Sequence, residues 1–281
     1  MHLGSLVAAL AGYLDARAAG GRWLLRMDDL DLPRVRPGCD ALIIRQLTNL
    51  GLTWDAEIRY QSQHLPEYQQ ALQRLQVHQV VFACNCSRRM LRAVAAPEPA
   101  DDVEHACVGR CRERPVTAPA ALRLDLSGLQ SDWVDRWQGP VPAGPVDCTV
   151  KRRDGTFGYH LAVVVDDLAS GVNHVVRGAD LLGSTAAQRA IYQALGARMP
   201  RYAHAPVIIE ADGGKLAKTR HSLAVGEPQL ARRELVTALR LLQQDTPVDL
   251  EQFQTRTIIE HAIRHWLPAK FAGSRSIATA R

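Results

Sequence analysis

The chain holds four lysines, and two of them fall in one short segment, Gly213-Gly214-Lys215-Leu216-Ala217-Lys218-Thr219. Two ammonium groups three residues apart behind a glycine hinge can fold over a triphosphate. There they would neutralise charge developing at the α-phosphate and the pyrophosphate. A solvated basic turn has the same composition, but the other lysines, Lys151 and Lys270, stand alone. At the opposite end of the chain, His2-Leu3-Gly4-Ser5 directly precedes a helical pattern. The free backbone N–H groups of a helix start favour an anion, glycine permits close approach, and an imidazole can donate to a phosphate oxygen. A plain N-cap explains the same residues.

Six cysteines are present, and four of them, Cys84, Cys86, Cys107 and Cys111, lie within 28 residues. Four thiolates suffice for a closed tetrahedral zinc site, which with no open position would be structural. The CxC and CxxxC spacings are not those of ribbon-type CxxC pairs. Free thiols and a dithiol switch remain alternatives, and His105 is a spare neighbouring ligand. Cys39 and Cys148 read as ordinary buried thiols. Two acidic groupings complete the set: Asp28, Asp29 and Asp31 after a short apolar run, and Asp166-Asp167 after a valine-rich one.

Taken together, these segments resemble a known family. His2-Leu3-Gly4-Ser5 resembles the HIGH motif of class I aminoacyl-tRNA synthetases, and Lys215-Leu216-Ala217-Lys218-Thr219 the KMSKS motif. Arg26-Met27-Asp28-Asp29-Leu30-Asp31-Leu32-Pro33-Arg34 is similar to the R-[IM]-[ED]-D-x-D-x-x-R segment of the glutamyl and glutaminyl members. Tyr159 to Asp167, Val176 to Leu182 and the cysteine cluster look most like the branch that modifies tRNA, a paralogue of the glutamyl-type catalytic core. The resemblance implies ATP-dependent activation of L-glutamate, with ATP and Mg²⁺ as the substrate complex. The acceptor it implies is the queuosine base in the anticodon of tRNA(Asp). His2, Lys215 and Lys218 would be catalytic, and His2, Gly4, Ser5 and Lys218 would hold ATP. Asp28, Tyr159 and Arg177 would hold glutamate, Arg177 by pairing bidentately with a carboxylate. Asp28 stands where glutamate is usual, one methylene shorter. The family's zinc site matches Cys84, Cys86, Cys107 and Cys111. A truncated glutamyl-tRNA synthetase charging 3′ ends and a non-catalytic RNA-binding paralogue are the competing expectations.

Two departures bear on that reading. The family begins with a strand and loop resembling R-F-A-P-S-P-S-G, whose arginine and serine help hold glutamate; this chain starts at Met1, beside His2, so that first strand is expected to be missing. A start placed too far downstream and a degraded copy both account for this. Only 62 residues follow Thr219, which is short for a helical anticodon-binding domain.

The elements that must position these residues follow from hydrophobic patterning. Ser5 to Ala19, Cys39 to Gly51, Tyr68 to Val77, Thr185 to Leu195 and Pro228 to Gln244 read as helices. Trp23 to Met27, Val80 to Ala83, Ala121 to Leu126 and His160 to Asp166 read as strands. The alternation predicts an α/β fold, a Rossmann-like class I catalytic domain with a parallel sheet, a zinc-binding insertion and a short C-terminal helical region. Residues 1–83 and 120–205 would be the two halves of that domain, 84–119 the insertion, and 206–281 the lysine loop and helical region. The segment from Lys270 reads as a loose tail.

Bulk properties agree with such an enzyme. At 281 residues and 47% hydrophobic, the chain supports one large domain with an insertion. A net charge of +5 favours a polyanionic partner such as the anticodon arm of tRNA. No run approaches the roughly 20 apolar residues of a membrane span. The N-terminus lacks the pattern of a secretory signal. A cytoplasmic monomer with no membrane contact is the expectation.

Overall fold

The computed structural model describes residues 1–31, 35–87, 89–91, 106–107, 111–113, 116, 119–129, 131–144, 146–210 and 225–279. Helix α1 (Leu3–Ala18) buries Leu6, Val7, Leu10, Ala11 and Leu14, the spacing of one helix face. It packs on strand β8 (His174–Gly178) and on helices α6 (Ala231–Leu241) and α7 (Thr255–Arg264). Strand β1 (Arg26–Met27) pairs in parallel with β2 (Arg59–Tyr60), the helix α2 (Cys39–Asn49) lying between them in sequence. The strand expected over Trp23 to Met27 is thus confined to its last two residues. The backbone of Trp23 and Leu25 instead accepts single hydrogen bonds from Asp55 and Arg59.

Strand β8 pairs in parallel with β9 (Arg201–Ala205), and the register sets Arg177 directly opposite His204. A second apolar core joins α3 (Leu65–Val77) to β4 (Ala121–Asp125), β7 (Asp147–Lys151) and two further helices, α4 (Tyr159–Ala169) and α5 (Leu182–Ala194). Within it β3 (Val81–Cys84), β4 and β7 form an antiparallel sheet, where the strand–helix rhythm implied a parallel one. Strands β5 (Trp133–Asp135) and β6 (Gly139–Val141) make a hairpin leaning on β9.

The run His160 to Asp166, expected as a strand, lies inside helix α4. A continuous apolar run cannot distinguish a buried strand from a buried helix. Here every residue from His160 to Asp167 is buried, so the helix is enclosed on all sides and packing outweighs the β-preference of three valines. Gly158 makes the transition possible. Its N–H donates to the Val150 carbonyl at 2.8 Å, and a Cβ at that position would lie 2.1 Å from the Thr149 carbonyl oxygen. Only glycine lets the chain leave β7 this closely.

The expectation of a loose tail from Lys270 is also corrected. Phe271 is fully buried, its ring 5.1 Å from that of Trp137 and perpendicular to it. Strand β11 (Ser276–Ala278) then pairs in parallel with β10 (Val207–Ile209). One aromatic anchor and three strand residues leave too little periodicity to be seen in sequence.

Candidate active site and cysteine cluster

The start of α1 presents His2, Gly4 and Ser5. The His2 ring turns back so that Nδ1 accepts the Ser5 backbone N–H at 3.3 Å. Gly4 leaves room for this, since a Cβ there would meet the ring at 3.1 Å. In this conformation the imidazole acts as the helix cap. Lys215 and Lys218 lie outside the described residues, as do Leu32, Pro33, Arg34 and His105.

The residues proposed for an amino-acid substrate gather around the ends of β1, α4 and β8. Tyr159 opens α4 and remains partly exposed, within electrostatic range of Arg177, Asp28 and Arg26. Burial of its ring pushes the hydroxyl pKa up, which keeps it protonated and able to donate. Asp28 is held by Arg26, whose Nε donates to Oδ1 at 2.7 Å, while Nη1 of the same guanidinium donates to Asp167 at 2.6 Å. Burial opposes the Arg26 charge, but the two carboxylates outweigh it and raise its pKa above the ordinary value. Asp167 is itself pushed up by burial in spite of Arg26. A carboxylate, a phenol and two guanidinium groups thus lie within electrostatic range of one another, charges that complement a zwitterionic amino acid with an acidic side chain.

Asp166 and Asp167 are not at the end of a sheet strand, as the sequence suggested, but on α4, and they have structural partners. Asp166 is fully buried and accepts from Arg59 Nε at 2.7 Å, Gln61 Nε2 at 2.8 Å and the Tyr68 hydroxyl at 2.8 Å. It thereby locks β2 and α3 against the helix that carries Tyr159.

Arg177 is gripped along one edge. Its Nε donates to His204 Nε2 at 3.2 Å, and its Nη2 donates to Thr185 Oγ1 at 2.7 Å. Its guanidinium carbon sits 5.6 Å from the centre of the Tyr202 ring, within cation–π range. Nη2 also reaches the Leu181 carbonyl at 3.5 Å, and among the described residues Nη1 has no hydrogen-bond partner, so Nη1 is the donor left for a carboxylate. His204 in turn meets Asp135 through Nδ1 at 2.7 Å, with both side chains fully buried. Sequence reasoning missed Arg26, Thr185, His204 and Asp135 as site residues. Arg26 was visible as the first residue of the acidic motif, whereas Asp135 and His204 are joined only by the packing of β5 on β9.

The four clustered cysteines converge, with all four Sγ atoms within 4.8 Å of one another. Cys84 and Cys107 are 3.7 Å apart, Cys86 and Cys107 3.9 Å, and Cys86 and Cys111 3.6 Å. A tetrahedral ion with metal–sulfur bonds of about 2.3 Å separates its sulfurs by about 3.8 Å, so the set fits a metal. Burial pushes the Cys84 thiol pKa up, so a thiolate there needs a positive neighbour. Asp147, fully buried, receives the Cys107 backbone N–H on both oxygens at 3.1 Å and Arg123 Nε at 2.6 Å. That carboxylate ties the cluster to the β4–β7 sheet. Cys148 is buried as expected, while Cys39 is only half-buried.

Residues 1–266 match the family described as tRNA synthetases class I (E and Q), catalytic domain, and the chain belongs to that family. It is 41% identical over 285 residues to a protein named glutamyl-Q tRNA(Asp) synthetase from Ectopseudomonas mendocina, covering all of this chain and 94% of the relative. A relative of the same name from Pseudomonas fluorescens is 41% identical over 286 residues, covering all of this chain and 93% of its own. A solved glutamate tRNA ligase from Elizabethkingia meningosepticum, in complex with its amino acid, superposes with a TM-score of 0.77 at 21% identity. That match covers all of this chain and 64% of the longer one, and it establishes the shared fold. No helix among the described residues is long and apolar enough to cross a membrane.

Proposed function

We propose that the chain uses ATP to activate L-glutamate and transfers the glutamyl group to the queuosine base in the anticodon of tRNA(Asp). The observation that carries this reading is the 41% identity, over the whole chain, to proteins named for that reaction.

The residues suit the chemistry. In this reading Asp28 takes the substrate ammonium, and Tyr159 and Arg177 take its carboxylates. The α-carboxylate attacks the α-phosphate of ATP in line, forming the mixed anhydride and releasing pyrophosphate. Lys215 and Lys218 neutralise the charge that builds on the phosphates, with Mg²⁺ assisting, and His2, Gly4 and Ser5 line the nucleotide at the start of α1. A hydroxyl on the modified base then attacks the acyl carbon of the adenylate, forming an ester and releasing AMP. Zinc in the four-cysteine cluster holds the insertion in shape and takes no part in the reaction. The active species is a cytoplasmic monomer.

Pyrophosphate exchange tests the first step. Labelled pyrophosphate should enter ATP in the presence of glutamate and not with glutamine or aspartate. Exchange that ignores the amino acid, or that glutamine supports equally, contradicts the proposal.

A further inference from the structure

We infer that Asp135 and His204 are positioning residues for substrate binding, acting through Arg177 by fixing a single histidine tautomer. This deepens the glutamate-activating reading and rests on it.

The tautomer follows by elimination. A guanidinium has only donors, so Arg177 Nε must donate to His204 Nε2, which therefore carries no proton. The ring proton sits on Nδ1 and donates to Asp135 Oδ2. Thr185 Oγ1, accepting from Arg177 Nη2, turns its own proton towards the Leu181 carbonyl at 3.1 Å. Burial favours the neutral imidazole, lowering its pKa against the opposing pull of Asp135. Asp135 is fixed just as closely. Its Oδ1 accepts the backbone N–H groups of Trp137 at 2.9 Å, Gln138 at 2.9 Å and His204 at 3.2 Å, leaving Oδ2 aimed at the imidazole. The chain of contacts holds Nε and Nη2 of Arg177 and leaves Nη1 for a substrate carboxylate under the proposed function. The β8–β9 register that sets Arg177 beside His204 leaves no slack, because a slip of one residue would put the two side chains on opposite faces of the sheet.

Asp135→Asn inverts the tautomer without changing shape. The three backbone N–H groups force the amide oxygen into the Oδ1 place, so the amide NH₂ faces His204 Nδ1 and drives the ring proton to Nε2. Two donors then confront each other at Arg177. The KM for glutamate should rise roughly ten- to hundredfold, the loss of a hydrogen bond to a charged group, while the KM for ATP stays within about twofold. His204→Asn keeps a donor for Asp135 but offers Arg177 nothing, and should act in the same direction. In an Arg177→Lys background neither change should raise the KM for glutamate further.

An unchanged KM for glutamate in folded Asp135→Asn protein overturns the proposal, and so does an undiminished effect in the Arg177→Lys background. If neither variant folds, ¹⁵N-histidine NMR of the wild-type protein decides: a neutral ring protonated at Nδ1 supports the proposal, and one protonated at Nε2 or doubly protonated defeats it. Failure of the glutamate-activating reading is separate, since wild-type protein would then show no glutamate-dependent exchange while the tautomer measurement still stands.

Discussion

Arg26 Nη1 donates to Asp167 Oδ1 at 2.6 Å, joining β1 to α4 across 141 residues of chain. The same guanidinium orients Asp28, so one side chain couples the fold to the proposed ammonium contact.

Arg26→Gln should therefore lower stability by about 2–3 kcal/mol at pH 8, less than for a fully buried pair because the Arg26 side chain is partly exposed. The loss depends on pH. Without Arg26 the folded-state pKa of Asp167, already raised by burial, climbs further above the unfolded value of about 3.9. The penalty is complete above that folded pKa and fades as pH falls and Asp167 takes up a proton. Urea melts at pH 8 and pH 5.5 should show a smaller difference from wild type at the lower pH; equal differences would remove Asp167 as the cause.

Arg177→Lys replaces a fork with a point charge. It should raise the KM for glutamate roughly tenfold or more while leaving the KM for ATP near the wild-type value. Steady-state exchange kinetics distinguish this from a general loss of activity, in which kcat would fall with both KM values unchanged.

The cysteine cluster predicts about one equivalent of zinc in freshly purified protein. Cys107→Ser should drop that below about half an equivalent and lower the melting temperature, because the free energy of metal binding is also folding free energy. Metal analysis and calorimetry on the same preparations check both. Retained zinc in the variant would mean that Cys107 is not a ligand.

Gly158→Ala should destabilise the protein by about 2 kcal/mol or more, since the added methyl would overlap the Thr149 carbonyl and neither belongs to a movable side chain. A chemical melt within about 0.5 kcal/mol of wild type would show that β7 and α4 can separate freely.

The sequence carried the chemistry further than the architecture. Four cysteines at short spacing announced their convergence, because thiols cluster in sequence for few reasons. The helices α1 and α6 were visible as amphipathic stripes. Helix α4 was not, because eight successive buried positions erase the periodicity on which the distinction from a strand depends. The Asp135–His204 contact was illegible for another reason: it joins residues 69 apart through the packing of a hairpin on a parallel strand. The β11 strand was hidden because its order comes from the β10 edge it joins and from Phe271 beside it.

What receives the glutamyl group is measured directly with labelled glutamate. The wild-type protein should transfer radiolabelled glutamate, with ATP, to tRNA(Asp) carrying queuosine and not to the same tRNA lacking it. Removing the tRNA 3′ end should leave the labelling intact. Equal labelling of both tRNAs, or labelling lost with the 3′ end, would contradict the account.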